Sequence, residues 1–243
     1  MNYTDSFSQS PWPERLRAVF EITMVSGLVS SFLASEVLAV IFGRDRLKLT
    51  ETDAGFLVTF LLLESAVTFF ILRIFMKARE ETLRALGLRW RHWKKHVLTG
   101  FLVVPLLLVI NSIIGAAFHA FLPEYALEKN PLTEMIHSPR QLVLFIIASI
   151  IAGGIKEEMQ RAFILRRFRH HLGGAGVGLI VWSLVFGAEH YVQGIQGMCV
   201  AAILGFVFGV LYLMRGNLIG PITAHSAYNT LTLLIYWFVI RGA

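Results

Sequence analysis

Cysteine is nearly absent. Cys199 is the one thiol in 243 residues, which excludes an intramolecular disulfide and any cysteine-based metal cluster. It reads as a small apolar packing residue. Charge is scarce too: charged residues make up 16% of the chain, where a soluble domain carries about 25%. The deficit is uneven, with short basic stretches separating long apolar ones. Two further absences bear on chemistry. Neither Ser183 nor Ser226 sits in a Gly-x-Ser-x-Gly elbow, and no His-Glu-x-x-His zinc signature occurs. There is no internal repeat and no low-complexity tract, so an inverted-repeat transporter finds no support.

What is present is apolar. Hydrophobic residues reach 56% and the mean hydropathy is +0.64. A helix needs about 20 apolar residues to cross a bilayer, and only helices or closed barrels satisfy every backbone group in lipid. The apolar blocks run without alternating polarity. The expectation is therefore all-α: a polytopic membrane helical bundle of about seven transmembrane helices. The spans are Ala18–Phe42, Gly55–Met76, Val97–Phe121, Gln141–Leu165, Ala175–Tyr191, Ile195–Met214 and Ile219–Ile240. The first is too long for a signal peptide, begins after Arg15 and Arg17, and is closed by no small-residue cleavage site. Residues 1–12 are polar and read as a frayed tail. Residues 77–96 mix Arg, Lys and Trp with Leu83, Leu86 and Leu88. They read as a short amphipathic helix at the interface, or as an ordinary basic loop that fixes topology.

The net charge of +6 suits topology better than nucleic acid. One side collects Arg15, Arg17, Lys77, Arg79, Arg84, Arg89, Arg91, Lys94, Lys95, Arg166, Arg167, Arg169 and Arg215. The other has Arg44, Arg46, Lys48, Lys129, Arg140 and Arg241. The positive-inside rule places the N-terminus in the cytoplasm and the C-terminus outside, and the expected location is the cell's inner or plasma membrane.

Ionisable residues inside spans are costly and mark function more often than elsewhere. Glu21, Glu36, Glu64 and His119 occur singly and suit buried polar, interfacial or helix-contact roles. The fourth span is different: it carries Gly153-Gly-Ile-Lys-Glu157-Glu158-Met-Gln-Arg161. Neighbouring helical residues lie about 100° apart, so the two carboxylates cannot share one direction. Arg161 is i+4 from Glu157 and i+3 from Glu158, so either can meet it. A carboxylate paired with arginine stays ionised, leaving the other for proton chemistry. The fifth span ends in Phe186-Gly-Ala-Glu-His190, and the seventh opens with His225-Ser-Ala-Tyr-Asn229. A carboxylate and an imidazole can activate a water, while a second histidine and an asparagine can donate to an oxyanion. That set suits amide hydrolysis without a covalent intermediate.

These three motifs resemble those of the CPBP family of CAAX prenyl endopeptidases (type II) and Abi-like glutamic intramembrane proteases. The family carries Glu-Glu-x-x-x-Arg, Phe-x-x-x-His and His-x-x-x-Asn on successive helices. The resemblance spans roughly residues 139–243, implying a single integral membrane domain. Its residues 1–138 hold the N-terminal helices and interfacial segment, and residues 139–243 a catalytic core in the last four helices. It implies an intramembrane endopeptidase with no cofactor, acting on a membrane-associated or lipidated peptide at the lipid bilayer, with CAAX-like or C-terminal sorting-tail substrates. By resemblance Glu157 and His190 would work on the water, and His225 and Asn229 would form the oxyanion site. Glu158, Arg161 and Phe186 would support them.

One departure stands out. Two residues separate Glu158 from Arg161, where the family has three. Matching on the glutamate pair shifts Arg161 by about 100°, whereas matching on Arg161 puts Lys156 and Glu157 at the two glutamate positions. The first is preferred because a lysine cannot replace a catalytic carboxylate. Depth adds a second tension. Glu157 lies about 13 Å along its helix from Arg166, but His190 would sit some 20 Å or more from the same side. Three other readings stay open: a zinc protease liganded by Glu157, His190 and His225, a non-enzymatic binding or immunity protein with the polar cluster as structural glue, and a proton-coupled transporter.

Overall fold

The computed structural model describes residues 10–44 and 53–241. Most of the expected tail, together with Arg46 and Lys48 of the first loop, lies outside the described residues. Among the described residues the chain is all-helical: α1 Trp12–Val25, α2 Leu28–Phe42, α3 Ala54–Ala78, α4 Trp93–Phe121, α5 Pro131–Glu134, α6 Pro139–Ser149, α7 Glu158–His171, α8 Ala175–Glu189, α9 Gly194–Arg215 and α10 Ile219–Ile235. A π-helical stretch, Ile150–Glu157, joins α6 to α7, and another, Tyr236–Ile240, extends α10.

Four of the expected spans stand out by length and apolarity alone: the bent α1–α2 pair over Trp12–Phe42, α3, α4, and Tyr191–Arg215. Helix α8 is apolar but shorter, at 15 residues. The other two, 141–165 and 219–240, are helical but change pitch partway, so a count of seven does not follow from length and apolarity. Large apolar side chains such as Val40 (85% exposed), Leu102 (69%) and Phe121 (82%) face outward from the bundle. A soluble fold buries such side chains; a bilayer solvates them. The chain is an integral membrane protein.

The expected first span starts earlier, at Trp12, and breaks at Gly27, whose φ of +103° a side chain would strain. Residues 79–92 form turns rather than the amphipathic helix considered above. The backbone takes positive φ at Glu80, Gly87 and His92, and the segment's carbonyls are committed elsewhere. Leu86 accepts from the Tyr212 hydroxyl at 3.1 Å, Gly87 from the Leu218 N–H at 3.0 Å, and Arg89 from Asn217 Nδ2 at 2.8 Å. The loop thus closes over the α9–α10 corner, with Leu86 fully buried.

Helix α10 packs between α4 and the π-helical stretch, α8 runs beside α7 and α9, and α1 lies against α7. The buried aromatic and aliphatic core under α7 includes Phe163, Ile164, Trp182 and Phe186. Arginines gather at one end, where Arg17 of α1 and Arg79, just after α3, meet Arg166 and Arg167 of α7 through shared glutamates.

Candidate active site

The π-helical stretch ends at Glu157 and α7 begins at Glu158, so the two adjacent glutamates sit on either side of a change in helical pitch. π-Helical turns inside α-helices recur at functional sites because they redirect side chains that a regular helix would stagger. Two glycines in this stretch admit α10. A Cβ on Gly153 would lie 2.5 Å from Asn229 Nδ2 and 3.4 Å from His225 Nε2. A Cβ on Gly154 would lie 1.9 Å from Ser226 Oγ. The close approach of these backbones sets the polar face of α10 directly on the glutamates.

The two carboxylates are unlike. Glu158 is fully buried: its Oε1 accepts from Arg161 Nη1 and lies 2.8 Å from His225 Nδ1. Its Oε2 is buried with no hydrogen-bond partner among the described residues. Glu157 keeps 18% of its side chain exposed, and its Oε2 stands 3.8 Å from His225 Nε2. The arginine expected to pair with one glutamate therefore pairs with Glu158, and His225 bridges towards both.

Aromatic rings hold this group in place. The Arg161 guanidinium lies over Phe186 at 4.7 Å and near Phe208 at 5.6 Å. Phe208 stacks on His225 with ring centroids 4.4 Å apart, and Phe186 meets His225 edge-on at 6.4 Å. Phe208 was not singled out from the sequence; Gly205 and Gly209, on the same helix, both lie against this cluster. A Cβ on Gly205 would meet the Phe186 ring at 2.7 Å, and one on Gly209 would reach Arg161 Cδ at 3.5 Å.

His190 caps α8 with its Nδ1 2.7 Å from the Phe186 carbonyl, and its ring is 4.6 Å from that of Phe186. No hydrogen bond or ion pair joins it to either glutamate among the described residues. The depth mismatch disappears. Helix α7 runs on to His171, beyond the span end taken at Leu165, so Glu157 lies about 21 Å from the turn that starts α8. His190, fifteen residues after Ala175, lies at a similar distance from that turn.

A second polar chain leads away from Glu157. Lys156 is buried, with its Nζ 2.9 Å from Glu64 Oε2 and 3.8 Å from Glu157 Oε1. Glu64 in turn accepts from Ser30 Oγ at 2.9 Å and Thr68 Oγ1 at 3.2 Å. Glu64 is thus a lysine partner rather than an isolated carboxylate, while Glu21 belongs to the arginine cluster and Glu36 pairs with Arg44 near the end of α2. Glu189, also unremarked from the sequence, has a buried Oε1 without a hydrogen-bond partner among the described residues. It lies beside the bend at Gly27, where a Cβ would come within 3.4 Å of it.

The zinc arrangement of Glu157, His190 and His225 is not assembled: among the described residues no three His, Cys, Asp or Glu side chains gather as ligands. The Arg161 cation sits on the inner carboxylate, and His225 spends Nδ1 on Glu158.

Compared with known proteins, residues 138–231 match the family model described as type II CAAX prenyl endopeptidase Rce1-like, a stretch that contains all three motifs. No curated protein and no solved structure matches the chain. The family match supports an intramembrane endopeptidase in general.

Proposed function

We propose that this chain, whose residues 138–231 belong to the type II CAAX prenyl endopeptidase Rce1-like family, uses Glu157 as the base that activates water against a peptide bond of a membrane-associated or lipidated substrate. The observation that carries the assignment is the asymmetry of the glutamate pair. Glu158 is sealed, with Arg161 and His225 both on its Oε1, whereas Glu157 keeps part of its side chain exposed and lies within 3.8 Å of His225 Nε2. Paired carboxylates whose surroundings differ this sharply divide into a fixed charge and a proton-transfer group.

In this reading a water gives one proton to Glu157 as its oxygen bonds to the scissile carbonyl carbon. His190, anchored at Nδ1 by its own helix, offers Nε2 as the second acceptor for that water. His225 Nε2 and Asn229 Nδ2 donate to the oxyanion. Donation from Nε2 while Nδ1 serves Glu158 requires hydrogen on both ring nitrogens. The C–N bond then breaks, and the proton held by Glu157 passes to the departing amine, which restores the carboxylate. No covalent enzyme intermediate and no metal take part. Arg161 and the rings of Phe186 and Phe208 position Glu158 and His225. Substrates are CAAX-like or C-terminal sorting tails, cut towards the basic end of the bundle, which faces the cytoplasm.

The test is cleavage of a farnesylated CAAX peptide, and of the same peptide tethered by a transmembrane anchor, by purified protein. Wild type is compared with Glu157→Gln and His190→Ala, each with and without a chelator. Cleavage that survives the chelator and vanishes in both variants supports the assignment. Loss to the chelator alone would put zinc in its place. A folded wild type that cuts neither peptide would favour the binding or immunity reading.

A further inference from the structure

The basic end of the bundle holds a cavity that peptide hydrolysis does not use. It lies where α1, the turn after α3 and the last turns of α7 meet, and its volume is ≈ 560 Å³. Arg17, Arg79, Arg166, Arg167, His170 and His171 line it, together with the carboxylates Glu14 and Glu81. Beside it, and sharing His171, a second and largely apolar hollow of ≈ 390 Å³ runs between α1 and the end of α7 along Trp12, Leu16, Val19, Phe168 and Leu172. A polar chamber joined to an apolar groove at one residue matches a ligand with an ionic head and a hydrocarbon tail.

The sign of the head follows from the charges. Glu14, Glu21 and Glu81 answer the four arginines. Glu21 pairs with Arg17, Arg79 and Arg167, Glu81 with Arg166 and Arg167, and Glu14 with Arg79. One positive charge remains before the histidines are counted. Two nitrogens are also left over: Arg79 Nη2 and His170 Nε2 are buried with no hydrogen-bond partner among the described residues. Buried polar groups are nearly always hydrogen-bonded; the guanidinium nitrogen can only donate and so asks for an acceptor, and the imidazole nitrogen serves the same acceptor when it carries the ring hydrogen. Phosphate oxygens are the acceptors that guanidinium geometry suits best.

The source of that phosphate follows from the groove and its setting. Trp12 is 67% exposed and Leu16 54%, on the outer face of a helix read as membrane-embedded. Tryptophan marks the level of the headgroups, and basic pockets between helices at that level take anionic headgroups. We propose that this paired cavity is a binding site for one anionic phospholipid, with its phosphate among Arg79, Arg166 and His170 and an acyl chain along Leu16, Val19 and Phe168. The lipid would tie α1 to α7, about 13 Å along α7 from Glu157.

The full chain in detergent would be titrated with phosphatidylglycerol, phosphatidylcholine and inorganic phosphate, with bound lipid counted by native mass spectrometry and Tm read in parallel. Phosphatidylglycerol should bind saturably at one site, at least tenfold tighter than phosphatidylcholine, and raise Tm. Arg166→Gln, at a residue 30% exposed and thus tolerant of change, should weaken phosphatidylglycerol about fivefold. Leu16→Asn should weaken the lipid without affecting inorganic phosphate. Equal affinity for the two lipids overturns the proposal. So does full binding in both Arg166→Gln and His170→Ala. Inorganic phosphate binding as tightly as the lipid would make the site one for the free anion and discard the acyl groove.

Discussion

His225 Nδ1 donates to Glu158 Oε1 at 2.8 Å, the same oxygen that receives Arg161. Ionised beside a guanidinium, that oxygen can only accept, so the hydrogen bond fixes the imidazole's direction and leaves Nε2 facing Glu157. In the proposed mechanism one glutamate therefore serves the fold and its neighbour the chemistry.

The two glutamates should accordingly fail in different ways. Glu158→Gln removes the counter-charge of a buried arginine and should cost about 3–5 kcal/mol, seen as a lowered unfolding midpoint. Glu157→Gln, at the more exposed residue, should leave the midpoint within about 1 kcal/mol while kcat falls roughly 10²–10⁴-fold. Equal destabilisation by both would remove the distinction, and with it the choice of base.

Lys156 and Glu64 form a second buried pair, with Nζ–Oε2 at 2.9 Å and both side chains over 90% buried. Removing one partner strands a charge in the bilayer interior. Lys156→Met and Glu64→Gln should each destabilise by about 3–5 kcal/mol. The double variant should recover much of that, because neither charge is then left alone. A double-mutant cycle on unfolding free energies measures the coupling; additive losses would mean that the pair contributes no interaction of its own.

Much of the architecture is visible in apolar run length, because a bilayer imposes about 20 residues on each crossing helix. Run length fails where polar groups enter: the stretch around Lys156–Arg161 and the opening of α10 carry the candidate site and depart from a uniform apolar helix. Glu158, Arg161, Phe186 and His225 meet, and their motifs signal it because each lies at helical spacing. Lys156 with Glu64 could not be paired in advance, since no spacing rule links residues ninety positions apart. Nor could Phe208, an ordinary apolar residue whose role comes only from stacking on His225. The segment 77–96 has the composition of an amphipathic helix, yet its carbonyls are claimed by Tyr212, Asn217 and Leu218, and tertiary hydrogen bonds override its local preference.

Gly153 tests whether the contact between α10 and the π-helical stretch serves catalysis or only packing. In Gly153→Ala the new methyl would lie 2.5 Å from Asn229 Nδ2 and 3.4 Å from His225 Nε2. The Asn229 amide, at the free end of its side chain, can turn aside, so the fold should survive, but that proposed oxyanion donor would be displaced, while His225 at 3.4 Å is in ordinary contact and stays. We expect kcat to fall about 10²–10³-fold with Tm nearly unchanged. Gly154→Ala, whose methyl meets Ser226 Oγ at 1.9 Å and its Cβ at 3.1 Å, should instead lower Tm, and Ser226→Gly should restore part of the loss. A Gly153→Ala variant with full activity would remove Asn229 from the mechanism.

Acid should loosen the basic end of the bundle through Glu81, which lies outside the membrane-spanning segments. Burial alone raises its carboxyl, but hydrogen bonds from Arg167 and Arg166 outweigh burial and hold it below its ordinary value of 4.5. The folded state therefore binds this proton less readily than the unfolded one. The stability it contributes is complete above the unfolded value and drains away as pH falls through the folded value. Unfolding midpoints of the full chain in detergent, taken from pH 7 down to about pH 3, should fall steeply in the acid range. In Glu81→Gln the midpoint should already be lower at pH 7, because Arg166 and Arg167 have lost a shared acceptor. Its decline towards acid should be shallower than that of the wild type, since one linked carboxyl no longer titrates. Parallel declines would show that Glu81 carries no linked proton and that the acid sensitivity of this end, if present, belongs to other groups.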